Sequence, residues 1–135
     1  MSDIRWVRVV LTAFLLEVAI TALVLPFGFA FGDPIRSAAS GPPGRYAPYF
    51  VSAAVGCAGL GFLFGRWAAR AAGARHALHG LLVGVSATLI YFGLGTLAPG
   101  GLAGVIAAYS PGIYALLNVL RIAGCWAGGA SVRSS

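Results

Sequence analysis

Residues 76–120, HALHGLLVGVSATLIYFGLGTLAPGGLAGVIAAYSPGIYALLNVL, form a stretch of 45 residues without Asp, Glu, Lys or Arg. A single helix of that length would be about twice as long as the hydrocarbon core of a bilayer is thick, since a helix rises about 1.5 Å per residue. The stretch must therefore fold back, and the turn formers Ala-Pro-Gly-Gly at residues 98–101 are the natural place for the turn. We predict two membrane spans here, at residues 78–97 and 102–126.

The dipeptide Ser110-Pro111 leaves the shape of the fourth span open. A proline inside a helix removes a backbone hydrogen bond to the carbonyl four residues earlier and kinks the helix. Ser-Pro is equally typical of a helix start, with serine as the N-cap and proline as the first helical residue. The fourth span is therefore either kinked at Pro111 or begins there, and in the second case residues 102–109 form a short half-helix.

Two further apolar runs precede this stretch. The first, at residues 8–31, contains Glu17 as its only acidic residue. It is longer than the apolar region of a signal peptide, which is about 7–15 residues, so we predict a retained helix. Pro26 and Gly28 are expected to kink this helix or end it early. The second run, at residues 47–65, is uncharged, and with it the chain has four spans.

The composition of the 135 residues fits a membrane protein. Hydrophobic residues make up 59% of the chain and charged residues 9%, against about 25% charged residues in an ordinary soluble domain. A soluble chain of this size could not bury so much apolar surface. We predict an all-α integral membrane protein, a four-transmembrane-helix bundle in which residues 1–135 form a single transmembrane domain.

The arginines predict how the bundle is oriented. The chain has no lysine and a net charge of +6, but its arginines lie at the ends of apolar runs, which argues against nucleic-acid binding. With four spans, seven of them share the side of both termini: Arg5, Arg8, Arg66, Arg70, Arg75, Arg121 and Arg133. The positive-inside rule then places both termini and the basic connector 66–77 in the cytoplasm, and the Pro- and Gly-rich loop 32–46 outside.

The use of arginine in place of lysine, together with abundant alanine and glycine, is typical of a GC-rich bacterial genome. We therefore expect a multi-pass protein of a bacterial-type inner membrane.

Small residues spaced four apart run along the second, third and fourth spans. Such stripes let helix backbones approach closely within a membrane. They either pack the helices of one chain together or remain outward for a second copy or another membrane protein. The candidate packing residues are Gly56, Gly61, Gly65, Gly80, Gly84, Gly124 and Gly128.

Glu17 is the most informative single position. An ionisable side chain near the bilayer centre costs about 2.5–3.5 kcal/mol, so it normally faces a partner or a water-filled cavity. Arg121 lies at a similar depth in the fourth span and is the candidate partner. Thr12, Thr21 and Asn118 are expected to complete a small polar cluster. Two interpretations stay open: a structural ion pair, and a site that couples transport to a proton or a cation.

Residues 13–21, AFLLEVAIT, resemble the first helix of the small multidrug resistance transporters, which are four-helix membrane proteins. In that family a membrane-embedded glutamate binds protons and cationic drugs in exchange, so the resemblance implies this role for Glu17. The chain departs from the family in its longer, Pro-rich first loop and in its tryptophans, which all lie at predicted interfaces. We infer no membership from it.

Neither a catalytic motif nor a cofactor motif stands out. Cys57 and Cys125 lie in apolar stretches and are interpreted as buried thiols. His76 and His79 are interpreted as interfacial residues, because no carboxylate lies near them to complete a metal site. We expect a protein that is not an enzyme and that holds no metal or other cofactor.

Three functions are compatible with these features. The first is an accessory or scaffolding subunit that packs in a larger membrane complex or against itself, which rests on the small-residue stripes. The second is a small carrier or channel that uses Glu17 for proton or cation coupling. The third is the binding of lipid or pigment, with anionic head groups held by Arg66, Arg70 and Arg75.

Overall fold

The computed structural model describes residues 4–31, 46–72 and 75–132, and within these residues the chain is all-helical. The helices are α1 (Trp6–Phe31), α2 (Ala47–Val55), α3 (Gly61–Arg70), α4 (His76–Thr96), α5 (Gly101–Tyr109) and α6 (Pro111–Ala130). A π-helical segment, Gly56–Leu60, joins α2 and α3 into one helix, Ala47–Arg70. The described residues contain four helices long and apolar enough to span a membrane, which confirms the prediction of an all-α protein with four such helices. Most of the predicted loop 32–46 lies outside the described residues.

The first helix does not stop early. It begins at Trp6 and continues through Pro26 to Phe31, so of the two expected effects of Pro26 and Gly28, a kink or an early end, the early end is wrong. Pro26 is exposed, and its ring therefore does not disturb the packing of the bundle. The loss of one backbone hydrogen bond does not by itself end a transmembrane helix.

The basic connector is shorter than predicted. Residues 66–70 belong to α3, and α4 begins directly after Arg75, so helix replaces much of the predicted connector 66–77. Arg66 and Arg70 allow this because their long apolar stems can lie along the helix end while the guanidinium groups reach the aqueous boundary. The backbone of Arg75 is left-handed, with φ 52°, and makes the turn into α4.

The chain breaks at Ser110, within the predicted span 102–126, for which the sequence left open a kink at Pro111 or a helix start there. Helix α5 ends at Tyr109, and α6 runs from Pro111 to Ala130. Ser110 has φ 61° and ψ 147°, a conformation that residues other than glycine rarely adopt, so neither helix continues through it. Of the two alternatives for Ser-Pro, the structure contains the helix start, although the serine side chain makes no capping hydrogen bond.

Helix α6 packs extensively against both α3 and α4. A Cβ atom added at Gly65 or Gly80 would overlap the backbone carbonyl of Cys125, and one added at Gly128 would overlap that of Phe62. Glycine is therefore what lets these backbones touch. Each of the seven candidate packing glycines lies at a contact with another helix, so the stripes are used within the chain.

The two ends of the bundle differ. At the end where the chain begins, the glycine contacts draw α3, α4 and α6 together. Helices α1 and α6 lie on opposite sides of the bundle and make few direct contacts. Aromatic rings gather at the other end: Tyr49, Phe50, Tyr91, Phe92, Tyr109 and Tyr114. Small residues therefore pack one end of the bundle, and aromatic rings pack the other.

The variants Gly80→Ala and Gly93→Ala distinguish the effect of helix packing on stability from the effect of helix propensity. A methyl group at Gly80 would overlap the Cys125 backbone, so we expect this variant to lose about 1–3 kcal/mol of unfolding free energy. Gly93 faces open space, and alanine favours a helix over glycine, so Gly93→Ala should be neutral or slightly stabilising. Equilibrium unfolding in SDS, followed by circular dichroism, measures both. Equal destabilisation of the two variants would contradict this packing.

Candidate ligand-binding cavity

Helix α1 turns Glu17 toward the inside of the bundle. The buried residues of α1 recur every three or four positions and include Val9 and Ile20 beside Glu17, whereas Phe14 and Val18 are exposed. This spacing gives the helix one face toward the bundle and one toward lipid. Glu17 is the only acidic side chain that the structure describes, and it lies on the inner face.

Arg121 reaches Glu17 from α6. Its Nε lies 2.9 Å from Glu17 Oε1, and both side chains are buried. The N–H bond does not point at this oxygen well enough for a hydrogen bond, so the contact is an ion pair held by charge. The other carboxylate oxygen, Oε2, accepts no hydrogen bond from the residues that the structure describes.

Arg121 is also held from two other directions. Its Nη1 donates a hydrogen bond of 2.6 Å to Asn118 Oδ1, and Asn118 is fixed in turn because its Nδ2 donates to the Tyr114 carbonyl at 2.9 Å. The guanidinium carbon lies 4.5 Å from the centre of the Tyr91 ring, within the range of a cation–π contact. These contacts do not involve Glu17, so the carboxylate is the less restrained partner of the pair.

A cavity of about 370 Å³ extends from the ion pair along α1. Its volume lies within the range of small-molecule sites, which is about 300–1,000 Å³. Glu17 and Arg121 form its charged part. The exposed residues Leu25 and Phe29 belong to its wall, so the cavity reaches the protein surface.

Three tyrosines form the aromatic part of the cavity wall: Tyr49, Tyr91 and Tyr109. The hydroxyl oxygens of Tyr49 and Tyr109 lie 2.7 Å apart and share a hydrogen bond. Tyr109 is the last residue of α5, directly before the break at Ser110. Tyrosine combines an apolar ring with a polar tip, so these residues can face either apolar or polar parts of a ligand.

The predicted polar cluster is smaller in the structure. Glu17, Arg121 and Asn118 are in contact. Thr21 lines the same cavity but is exposed. Thr12 is fully buried elsewhere on α1, and its hydroxyl has no hydrogen-bond partner among the described residues.

The other candidate residues lie away from the cavity. Arg66, Arg70 and Arg75 are found where α3 ends and α4 begins, and Arg70 and Arg75 are exposed. His76 is partly buried, with its Nδ1 3.3 Å from the Val132 carbonyl oxygen. His79 is buried, at 1% exposure, because this side of α4 packs against neighbouring helices; its position at the membrane interface stays a prediction.

The sequence did not lead us to predict the aromatic part of the cavity wall or the position of Cys57 in that wall. Cys57 lines the cavity from the π-helical segment, whereas Cys125, also a buried free thiol, is not part of the wall. Among the described residues no group of three or more His, Cys, Asp or Glu side chains is arranged to hold a metal ion. One feature of the sequence does indicate the aromatic part of the wall: the tyrosines all fall toward the same end of the predicted spans.

Comparison with protein-family models, with known proteins and with solved structures gives no match. The cavity and its ion pair are therefore the basis for inferring function.

Arg121→Met tests the ion pair. This variant leaves Glu17 buried without its counter-charge, so we expect a loss of about 3–5 kcal/mol in unfolding free energy. Adding Glu17→Gln removes the unpaired charge and should recover at least half of that loss. Unfolding in SDS measures both variants.

The matched control is Arg70→Met, which makes the same substitution at an exposed position and should change stability by less than about 0.5 kcal/mol. A double variant no more stable than Arg121→Met would show that the two residues do not act as a pair.

Proposed function

We propose that this protein is a non-enzymatic carrier or channel for a small solute, and that Glu17 and Arg121 form the polar part of its binding site. The observation that supports this proposal is the cavity of about 370 Å³ that extends from the pair to the protein surface. A carboxylate that serves only to hold two helices together needs no such space beside it. Ionisable residues inside membrane proteins commonly mark substrate or ion pathways.

The pair provides a group that can change partners. Glu17 Oε2 has no hydrogen-bond partner among the described residues, and the contacts of Arg121 with Asn118 and Tyr91 do not involve Glu17. A proton or a ligand donor that binds Glu17 would compete with Arg121 for the carboxylate. Such competition is one way to couple transport to a proton.

An accessory or scaffolding role is the weaker proposal. Its main support was the set of small-residue stripes, and the glycines of these stripes contact other helices of the same chain. They therefore offer no separate face for a partner. We do not propose catalysis either. The charged residues in the described part of the cavity wall are Glu17 and Arg121, and they are paired with each other.

We also propose that both termini face the cytoplasm of a bacterial-type inner membrane, with Arg66, Arg70 and Arg75 close to anionic lipid head groups. The support is the excess of arginine on the side of the termini. Membrane-impermeant labelling of cysteines introduced near each terminus in intact cells tests this orientation. Labelling of either terminus from outside would overturn it.

Cavity filling tests the carrier or channel directly. Leu117 lines the cavity, and the adjacent Leu116 is 54% exposed. In vesicles that contain the wild-type protein, at least one solute from the series urea, acetamide, glycerol, choline and acetate should enter faster than into empty vesicles. Leu117→Trp should abolish the difference because the indole occupies the cavity, whereas Leu116→Trp should keep it.

Stopped-flow light scattering measures solute entry, and thermal unfolding shows that both variants are folded. The proposal would be overturned if every solute of the series entered vesicles with folded protein no faster than it enters empty vesicles. Equal loss of flux in Leu116→Trp and Leu117→Trp would show that flux does not pass through the cavity.

A further inference from the structure

The charges that line the cavity cancel each other. Glu17 and Arg121 contribute one negative and one positive charge, and the charged atoms lie 2.9 Å apart. No other Asp, Glu, Lys or Arg among the described residues belongs to the wall. The remaining surface consists mostly of apolar side chains and tyrosines, such as Val24, Leu117 and Tyr91. A ligand in this cavity therefore meets a site without net charge.

An anionic ligand would bind poorly here. If it took Arg121 from Glu17, it would leave the carboxylate buried without a counter-charge, and removing one partner of a buried ion pair is strongly unfavourable. If instead it bound a free N–H group of Arg121 beside the intact pair, it would lie close to the Glu17 carboxylate, whose Oε1 is 2.9 Å from Arg121 Nε, and like charges repel.

A cationic ligand would also bind poorly, because Arg121 would repel it. A cation in contact with Glu17 would lie within a few ångströms of Arg121, whose side chain is anchored by Asn118. Like charges at such distances repel each other. The tyrosine rings could stabilise a cation, but Arg121 already occupies the face of Tyr91.

An uncharged ligand leaves the ion pair intact. A hydroxyl or amide N–H group can donate to Glu17 Oε2, which has no hydrogen-bond partner among the described residues. The apolar body of the ligand then fills the space beside Val24 and Leu117. We infer that the cavity binds an uncharged molecule with an apolar body, and that the Glu17–Arg121 pair excludes ions of either sign. This inference rests on the proposed function, since it names the substrate class of the same site.

Cys57 allows charge selectivity to be measured without knowledge of the ligand, because this thiol lines the cavity. The Cys125→Ala background leaves Cys57 as the only thiol. Three methanethiosulfonate reagents act as probes: 3,3-dimethylbutyl, its cationic isostere 2-(trimethylammonio)ethyl, and anionic 2-sulfonatoethyl. Each forms a mixed disulfide with Cys57 and releases methanesulfinate. Intact-mass spectrometry in a neutral detergent gives the rates, each divided by the rate with a free thiol in the same buffer.

The neutral reagent is expected to modify Cys57 at least about tenfold faster than either charged reagent after this correction. Arg121→Gln leaves a net negative cavity and should raise the ratio of the cationic to the anionic rate by about tenfold or more. Glu17→Gln should lower the same ratio by a similar factor. The double variant should return the ratio to the wild-type value. Because all reagents attack the same thiol, the ratios do not depend on how readily Cys57 ionises.

The wild-type comparison alone can overturn the inference, even where a variant does not fold. A charged reagent that reacts as fast as the neutral one would show that the pair does not exclude ions, while leaving the carrier or channel in place. Folded variants whose ratios equal the wild-type ratio would also contradict the inference. Failure of all three reagents to reach Cys57 would instead count against the proposed function, because the cavity would then be closed to solutes.

Discussion

The ion pair between Glu17 and Arg121 joins two helices that otherwise make few contacts. Either charge alone inside a membrane bundle would be costly, so each side chain constrains the position of the other. The pair therefore fixes the distance between α1 and α6 at the depth of Glu17. Because backbones do not fill the gap between these helices, the space beside the pair remains as the cavity.

The rest of the bundle is arranged so that this space persists. Glycines such as Gly65, Gly80 and Gly128 bring α3, α4 and α6 into backbone contact at one end. The bulky residues Tyr49 and Tyr109 meet at the other end and share a hydrogen bond. Small residues therefore pack one end of the bundle, and large rings fill the other.

The helices and the ion pair could be predicted from sequence because they depend on properties that follow directly from the order of residues along the chain. Span length follows from apolar runs, and Glu17 and Arg121 can be matched by depth alone. For Ser110-Pro111 the sequence left two alternatives, because it permits both a kink within one helix and the start of a new helix. The cavity was not predictable, because it depends on how tyrosines from α2, α4 and α5 meet in space. The burial of His79 was not predictable for the same reason, since it depends on neighbouring helices.

The most direct test of the cavity as a solute site compares the two native thiols in lipid. Cys57 lines the cavity, whereas Cys125 is buried against the glycines of α3 and α4. N-ethylmaleimide added to vesicles containing wild-type protein, followed by peptide mass spectrometry, gives the rate at each cysteine. An open cavity predicts modification of Cys57 well before Cys125. Two thiols that stay equally unreactive until the protein unfolds would mean that Glu17 and Arg121 lie in a sealed core and serve only to hold the helices together.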